Sequence, residues 1–150
     1  MALRNIRVDE DPILRKKARE ITEINERIKE LAADMLETMY DAEGVGLAGP
    51  QIGVLRRICV IDVGEGPVVM INPKITKQEG CALDYEGCLS FPEASGKVAR
   101  PERIEAEFTD LDGDLCTVIG EGLMARAICH ELDHLDGIVF VDKVVEDEEA

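Results

Sequence analysis

Glu121-Gly122-Leu123-Met124-Ala125-Arg126-Ala127-Ile128-Cys129-His130-Glu131-Leu132-Asp133-His134-Leu135-Asp136 is the stretch on which the fold turns. Leu123, Met124, Ala127, Ile128, Leu132 and Leu135 are spread nearly all the way round a helix. That pattern predicts a helix over 121–136 buried between layers rather than lying on the surface. Gly137 supplies its stop.

Working outward, the segment before this helix changes period to two. Strands are predicted over Arg57–Val63, Val68–Asn72 (stopped by Pro73), Lys74–Gln78, Lys97–Ala99 and Glu102–Thr109. Asp112-Gly113 is a hairpin signal leading into Leu115–Ile119. Two helices precede the strands. Asp11-Pro12 caps a short one through Ala18. The other runs from Asn25, a capping residue, to Ala42, with Ile24, Ile28, Leu31, Met35 and Met39 at helical spacing and Gly44 just past its end. No repeat or linker divides the chain, so 1–150 is expected to be one domain. The expected class is α+β, mostly antiparallel, packed around a central C-terminal helix. The tail Glu146–Ala150 is expected to fray.

The 150 residues carry 32 acidic and 17 basic side chains, a net charge of −15. Residues 1–75 hold 11 basic and 13 acidic groups, residues 76–150 hold 6 and 19. Such a surface repels nucleic-acid backbones and anionic lipid, so neither nucleic acid nor membrane is expected as a partner. With no Trp, three Phe and two Tyr, no aromatic platform for single strands is available. No apolar run reaches the roughly 18 residues of a membrane span. Met1–Asp9 carries Arg4, Arg7 and Asp9 with no apolar core, which is not a signal peptide. Five cysteines without an export signal point to a reducing, cytoplasmic compartment.

The buried helix also carries the sharpest chemical motif. His130 and His134, the only histidines, stand four residues apart and project from one helix face, where one metal ion can take a nitrogen from each. Glu131 is placed to act as a general base. Two histidines do not complete a site, and no third exists. Cys88, in the loop-like Tyr85-Glu86-Gly87-Cys88-Leu89-Ser90, can approach as thiolate. Spacing alone leaves it equally a small buried hydrophobe. Cys59 and Cys116 read as core, Cys81 is open, and Cys129 points about 100° away from His130. Gly44 to Gly53 is glycine-rich but is no phosphate loop. It suits either close backbone approach to a ligand, with Gln51 as an amide donor, or an ordinary turn.

Three segments in this order resemble peptide deformylase. Gly44, Gly46, Ala48 and Gln51 match its Gly-x-Gly-x-Ala-x-x-Gln segment, Glu86 to Ser90 match Glu-Gly-Cys-Leu-Ser, and His130 to Gly137 match His-Glu-x-Asp-His-Leu-x-Gly. The opening, Asp11-Pro12-Ile13-Leu14-Arg15, is also similar. The resemblance covers nearly the whole chain. It implies a metal site of Cys88, His130 and His134 holding one divalent ion, Fe2+ first, with Zn2+ or Ni2+ able to occupy it. The implied reaction is hydrolysis of the formyl group from N-formylmethionyl peptides, releasing formate. Glu131 would move the proton, while the Gln51 amide and the Leu89 N–H would hold the oxyanion. Val45, Gly46 and Gly87 would bind the peptide as an added strand, and Glu86 would pair with Arg100. Arg126 is placed near the methionine pocket. Two positions depart from the family. Gly49 stands where alanine is usual, which is expected to loosen the substrate loop, and Cys129 replaces a glutamine, putting an oxidisable thiol near the metal. Any ribosome contact is expected to avoid the acidic tail, without the basic C-terminal helix of some members, and the chain is expected to act as a monomer. A small metallopeptidase shares the helix but gives no reason for Glu-Gly-Cys-Leu-Ser. A non-catalytic relative gives none for an intact Glu131 and Gln51.

Overall fold

Asn25 opens the first long helix by accepting the backbone N–H of Ile28 at 3.1 Å, and α1 then runs Glu26–Asp41. Its buried face (Ile28, Leu31, Met35, Met39) is the predicted stripe. The computed structural model describes residues 2–145 and so leaves the tail Glu146–Ala150 outside the described residues. Upstream, Asp11 caps only a 3-10 turn, Pro12–Arg15, instead of a helix to Ala18. Its cap bond is spent on the Ile13 N–H, and the chain then extends.

After α1 come β1 (Gly46–Ala48), a 3-10 turn (Gly49–Ile52), β2 (Ile58–Ile61), β3 (Val68–Glu79), β4 (Ala82–Cys88), β5 (Phe91–Arg100), β6 (Arg103–Thr109) and β7 (Leu115–Glu121). Then follow α2 (Leu123–Leu135), a 3-10 turn (Phe140–Asp142) and β8 (Val144–Val145). All strand pairs are antiparallel, in a five-stranded sheet ordered β1-β2-β3-β6-β7 and a three-stranded sheet ordered β4-β5-β8. The α+β expectation holds, with α2 between the layers.

Two local readings change. Pro73 does not end a strand. β3 runs through it, because a register shift between Ile71 and Lys74 takes the proline out of the ladder. Asn72 there has φ of 51°, and its side-chain amide exchanges two 2.8 Å bonds with the Ile21 backbone. The segment at Cys88 is no loop but a strand ending in a tight turn, with Cys88 opposite Phe91.

The core lies mainly between α2 and the five-stranded sheet, where Ile104, Ala106, Met70 and Cys59 meet Ile128, Leu132 and Leu135. A second cluster packs α1 on β1 and β2. Helix α2 starts later than predicted because Glu121 belongs to β7 and Gly122, at φ 58°, makes the corner. At its other end Arg57 donates to the Leu135 carbonyl (2.8 Å) and to Asp136 (2.9 Å), satisfying a helix end that has no intrahelical partner. Gly137 follows at φ 75°, and a Cβ there would sit 2.7 Å from the Arg15 carbonyl oxygen. Gly137→Ala is therefore expected to destabilise the protein by about 2 kcal/mol. Urea unfolding checks this, and a loss near zero would show that the chain reversal tolerates a side chain.

Candidate metal centre

Residues from two elements converge. Helix α2 supplies His130 and His134, and the end of β4 supplies Cys88. Their ligand atoms all lie within 4.8 Å of one another. Cys88 Sγ is 3.3 Å from His134 Nε2, which is 3.2 Å from His130 Nε2. A thiol and two imidazole nitrogens facing inward at this spacing form a donor set suited to a divalent ion. Four residues of helix bring the rings to one face, and the tight turn after β4 carries the sulfur over them.

The rings are held from behind. His130 Nδ1 lies 2.9 Å from Glu86 Oε1. An ionised carboxylate only accepts, so Nδ1 carries a proton toward Glu86, and Nε2 is the nitrogen turned to the cluster. Glu86 also accepts from Arg100 Nε (2.8 Å) and NH2 (3.0 Å) and from Arg126 NH1 (2.8 Å). Arg100 NH1 continues to Asp133 at 2.6 Å. Burial works to raise the Glu86 pKa, but the bonds from His130 and Arg100 outweigh it and hold the group at about 2. The two rings diverge. Burial opposes charge on His130, yet Cys88 and Glu86 raise its pKa to about 10, whereas burial and then the charge on His130 push His134 down to about 3. His134 Nδ1 is buried with no hydrogen-bond partner among the described residues.

Glu131 is 4 % exposed, and its Oε1 likewise has no partner among the described residues. Burial, the largest influence, raises its pKa to about 7. Its carboxylate lies against β1, where a Cβ on Gly46 would stand 2.4 Å from Oε2. Gln51 is locked in place. Its Oε1 accepts the Ala48 N–H at 2.9 Å, so its Nε2 faces the hairpin, 3.0 Å from Ser90 Oγ and 3.5 Å from Cys88 Sγ.

These groups open into a cleft of about 520 Å³. Val45, Gly46, Gln51, Glu86, Gly87, Cys88, Leu89, His130 and Glu131 all line it, and Arg126 does too. The expected Glu86–Arg100 pair is formed. Sequence reasoning missed the double role of Arg126, the link from Asp133 to Arg100, and Ser90 beside Gln51. For Asp133 the signal was its place in the motif. Ser90 likewise stood in a matched motif, whereas for the Arg126 bonds no local signal existed, because their partners lie on β4 and β5.

Both departures read differently in three dimensions. Gly49 does not loosen its loop. A Cβ there would sit 2.7 Å from the carbonyl oxygens of both Val54 and Arg56, so glycine permits a tight backbone crossing. Cys129 is buried in the core and borders a separate cleft with Arg100 and Asp133, away from the cleft of the metal-binding cluster, and burial raises its thiol pKa. Cys59 is core as expected. Cys116 is half-buried and donates to Asp110 at 3.4 Å, and Cys81 is exposed.

The model of the polypeptide deformylase family matches residues 3–150. The chain belongs to this family. It is 54 % identical over 148 residues to peptide deformylase 1 of Clostridium acetobutylicum, covering 99 % of each chain. It is 57 % identical over 144 residues to the peptide deformylase of Agathobacter rectalis, covering 96 % of this chain and 91 % of that one. Its fold superposes on the crystal structure of the Thermotoga maritima enzyme with TM-score 0.94 at 41 % identity, over 96 % of this chain and 99 % of the other. The Synechococcus elongatus enzyme, solved in complex with actinonin, gives TM-score 0.91 at 39 % identity, over 96 % and 79 %.

Glu86 carries the electrostatics behind the site. Because its folded pKa lies below the unfolded 4.5, its charge contributes stability in full above pH 4.5 and loses that contribution as pH falls toward 2. Glu86→Gln, which leaves two buried arginines short of their partner, is expected to cost about 3 kcal/mol at pH 7. The gap to wild type should narrow between pH 4.5 and pH 2. Denaturant titrations at several pH values test this, and a gap independent of pH would disprove it.

Proposed function

We propose that Cys88, His130 and His134 hold one divalent metal ion and that Glu131 moves the proton in hydrolysis of the formyl group from N-formylmethionyl peptides. Chains of this family are metal-dependent deformylases, and this chain is one by membership. One observation carries the residue assignment. A sulfur and two imidazole nitrogens converge beneath a cleft that Cys88, His130 and the buried carboxylate of Glu131 line, and Glu131 stands on the same helix as both rings.

The donor set fits a divalent ion on its chemistry, and Fe2+ is our first assignment, with Zn2+ or Ni2+ as alternatives. Such an ion, when bound, polarises the formyl carbonyl and lowers the pKa of water toward neutrality. The residues do the rest. Glu131 takes the proton from the attacking water and passes it to the leaving amine, a role suited to a carboxyl pushed up to about 7. The locked Gln51 Nε2 and the Leu89 backbone N–H hold the developing oxyanion. Gln51 cannot swing away, since its oxygen is tied to Ala48. β1 ends the five-stranded sheet and β4 ends the other, so both edges next to the cleft are open to an added strand at Val45, Gly46 and Gly87. Arg100, through Glu86, fixes the His130 ring.

The whole chain, 1–150, is read as one catalytic domain acting as a monomer in the cytoplasm. Any ribosome contact avoids the acidic tail. No helix among the described residues is long and apolar enough to cross a membrane.

Anaerobically purified, iron-loaded protein is expected to release formate from a formyl-Met peptide. Cleavage of internal peptide bonds without formate would end this reading. Glu131→Gln is expected to retain one equivalent of metal while turnover drops by about 100-fold or more, and turnover near wild type would remove its role as base. Cys88→Ala is expected to lose metal on dialysis, and undiminished metal content would take Cys88 out of the ligand set.

A further inference from the structure

Arg126 stands one helical turn before His130, and with Leu123 and Ala127 it turns the same face of α2 to the cleft. Its NH1 donates to Glu86 Oε2 and to the Val98 carbonyl, both at 2.8 Å, and its NH2 donates to the Ala82 carbonyl at 2.9 Å. A guanidinium has five N–H donors. The three bonds leave the Nε hydrogen and one NH2 hydrogen. The side chain is 10 % exposed, and the surface it lines is the cleft. Its neighbours along the wall, Leu89, Leu123 and Ala127, are apolar. A charged donor therefore stands in a recess that is otherwise suited to an aliphatic side chain.

The first side chain of a formyl peptide hangs one bond from the formylated nitrogen. If the formyl carbon stands at His130 and Glu131, the Arg126 and Ala127 wall of the same cleft lies about one helical turn away, within reach of a side chain of methionine length. A thioether sulfur is a weak acceptor and leaves the spare donors unused. Methionine sulfoxide has the same length and carries a strong acceptor oxygen. An apolar recess would reject it, because a buried polar oxygen needs a partner. A charge-assisted donor supplies that partner.

We propose that Arg126 is a specificity-determining residue that lets this cleft process formyl peptides whose first side chain ends in a hydrogen-bond acceptor, methionine sulfoxide foremost. The inference rests on the cleft being the site for formylmethionyl peptides. The chemistry is the same hydrolysis. Water adds across the formyl C–N bond, formate leaves, the amine takes the proton, and the sulfoxide is unchanged. No oxidant or reductant is required.

The test uses metal-loaded full-length protein and three peptides differing only at the first residue: formyl-Met, formyl-norleucine and formyl-methionine sulfoxide. The wild-type kcat/KM for the sulfoxide is expected within tenfold of that for formyl-Met, and a larger loss overturns the proposal. In Arg126→Met the sulfoxide-to-norleucine ratio of kcat/KM is expected to fall at least tenfold, and a smaller fall overturns the assignment to Arg126. If that variant does not fold, Arg126→Lys, which keeps a cation but not the fork, is judged on the same ratio. A fall of at least threefold is then expected, and a smaller one is again decisive against it. Absence of formate from the formyl-Met peptide itself would defeat the underlying reading of function. Formate from that peptide with rejection of the sulfoxide would defeat only the present inference.

Discussion

The carboxylate of Glu86 is the fixed point of this structure. It is buried, yet ionised, because Arg100, Arg126 and His130 all bond to it. Each contact reaches a different part of the fold. Arg100 ends β5, Arg126 and His130 stand on α2, and Glu86 itself is on β4. One charge thus joins the metal helix to the hairpin that delivers Cys88. A buried ion network of this kind adds little net stability over a well-packed apolar cluster. What it adds is direction, since bonds at 2.8 to 3.0 Å fix the carboxylate and, through it, the orientation of the imidazole, which dispersion contacts would not.

Around that point the fold separates polar work from apolar work. The face of α2 toward the five-stranded sheet is packed with Ile128, Leu132 and Leu135. The other face meets β4 and β5 through charge. Glycines are placed where backbones must come close. Gly46 leaves room for the Glu131 carboxylate under β1, and Gly49 lets the chain cross the carbonyls of Val54 and Arg56. A carboxylate so enclosed has its pKa raised by desolvation.

Elements with an apolar period were legible. The stripe of α1, the all-round pattern of α2 and the runs of β2 and β6 lie close to where their residues predict. Of the hairpin β4–β5 only Lys97–Ala99, inside β5, was legible. Its buried position on β4 is filled by Glu86, with Arg100 answering on β5 and Arg126 from α2, so the alternation that marks a strand is written in charge rather than in hydrophobicity. β3 was read as two pieces for a related reason. Proline breaks a ladder only where its missing N–H is needed, and a bulge at Asn72 removes that need.

The sequence by itself determined the class of fold, the pair of histidines on one face, the carboxylate beside the first of them and, through the family motifs, Cys88 as the candidate to join them. These follow from helical geometry and from motif spacing, which are local. Only the tertiary structure decided how Glu86 is shared among three partners, why Gly49 is tight rather than loose, where Cys129 lies, and that Arg126 both holds Glu86 and lines the cleft. Each of these depends on which distant strands come together. Arg126 is far in sequence from the Glu86 carboxylate and from the Ala82 and Val98 carbonyls that it binds, and these distances are set by the packing of α2 against β4 and β5.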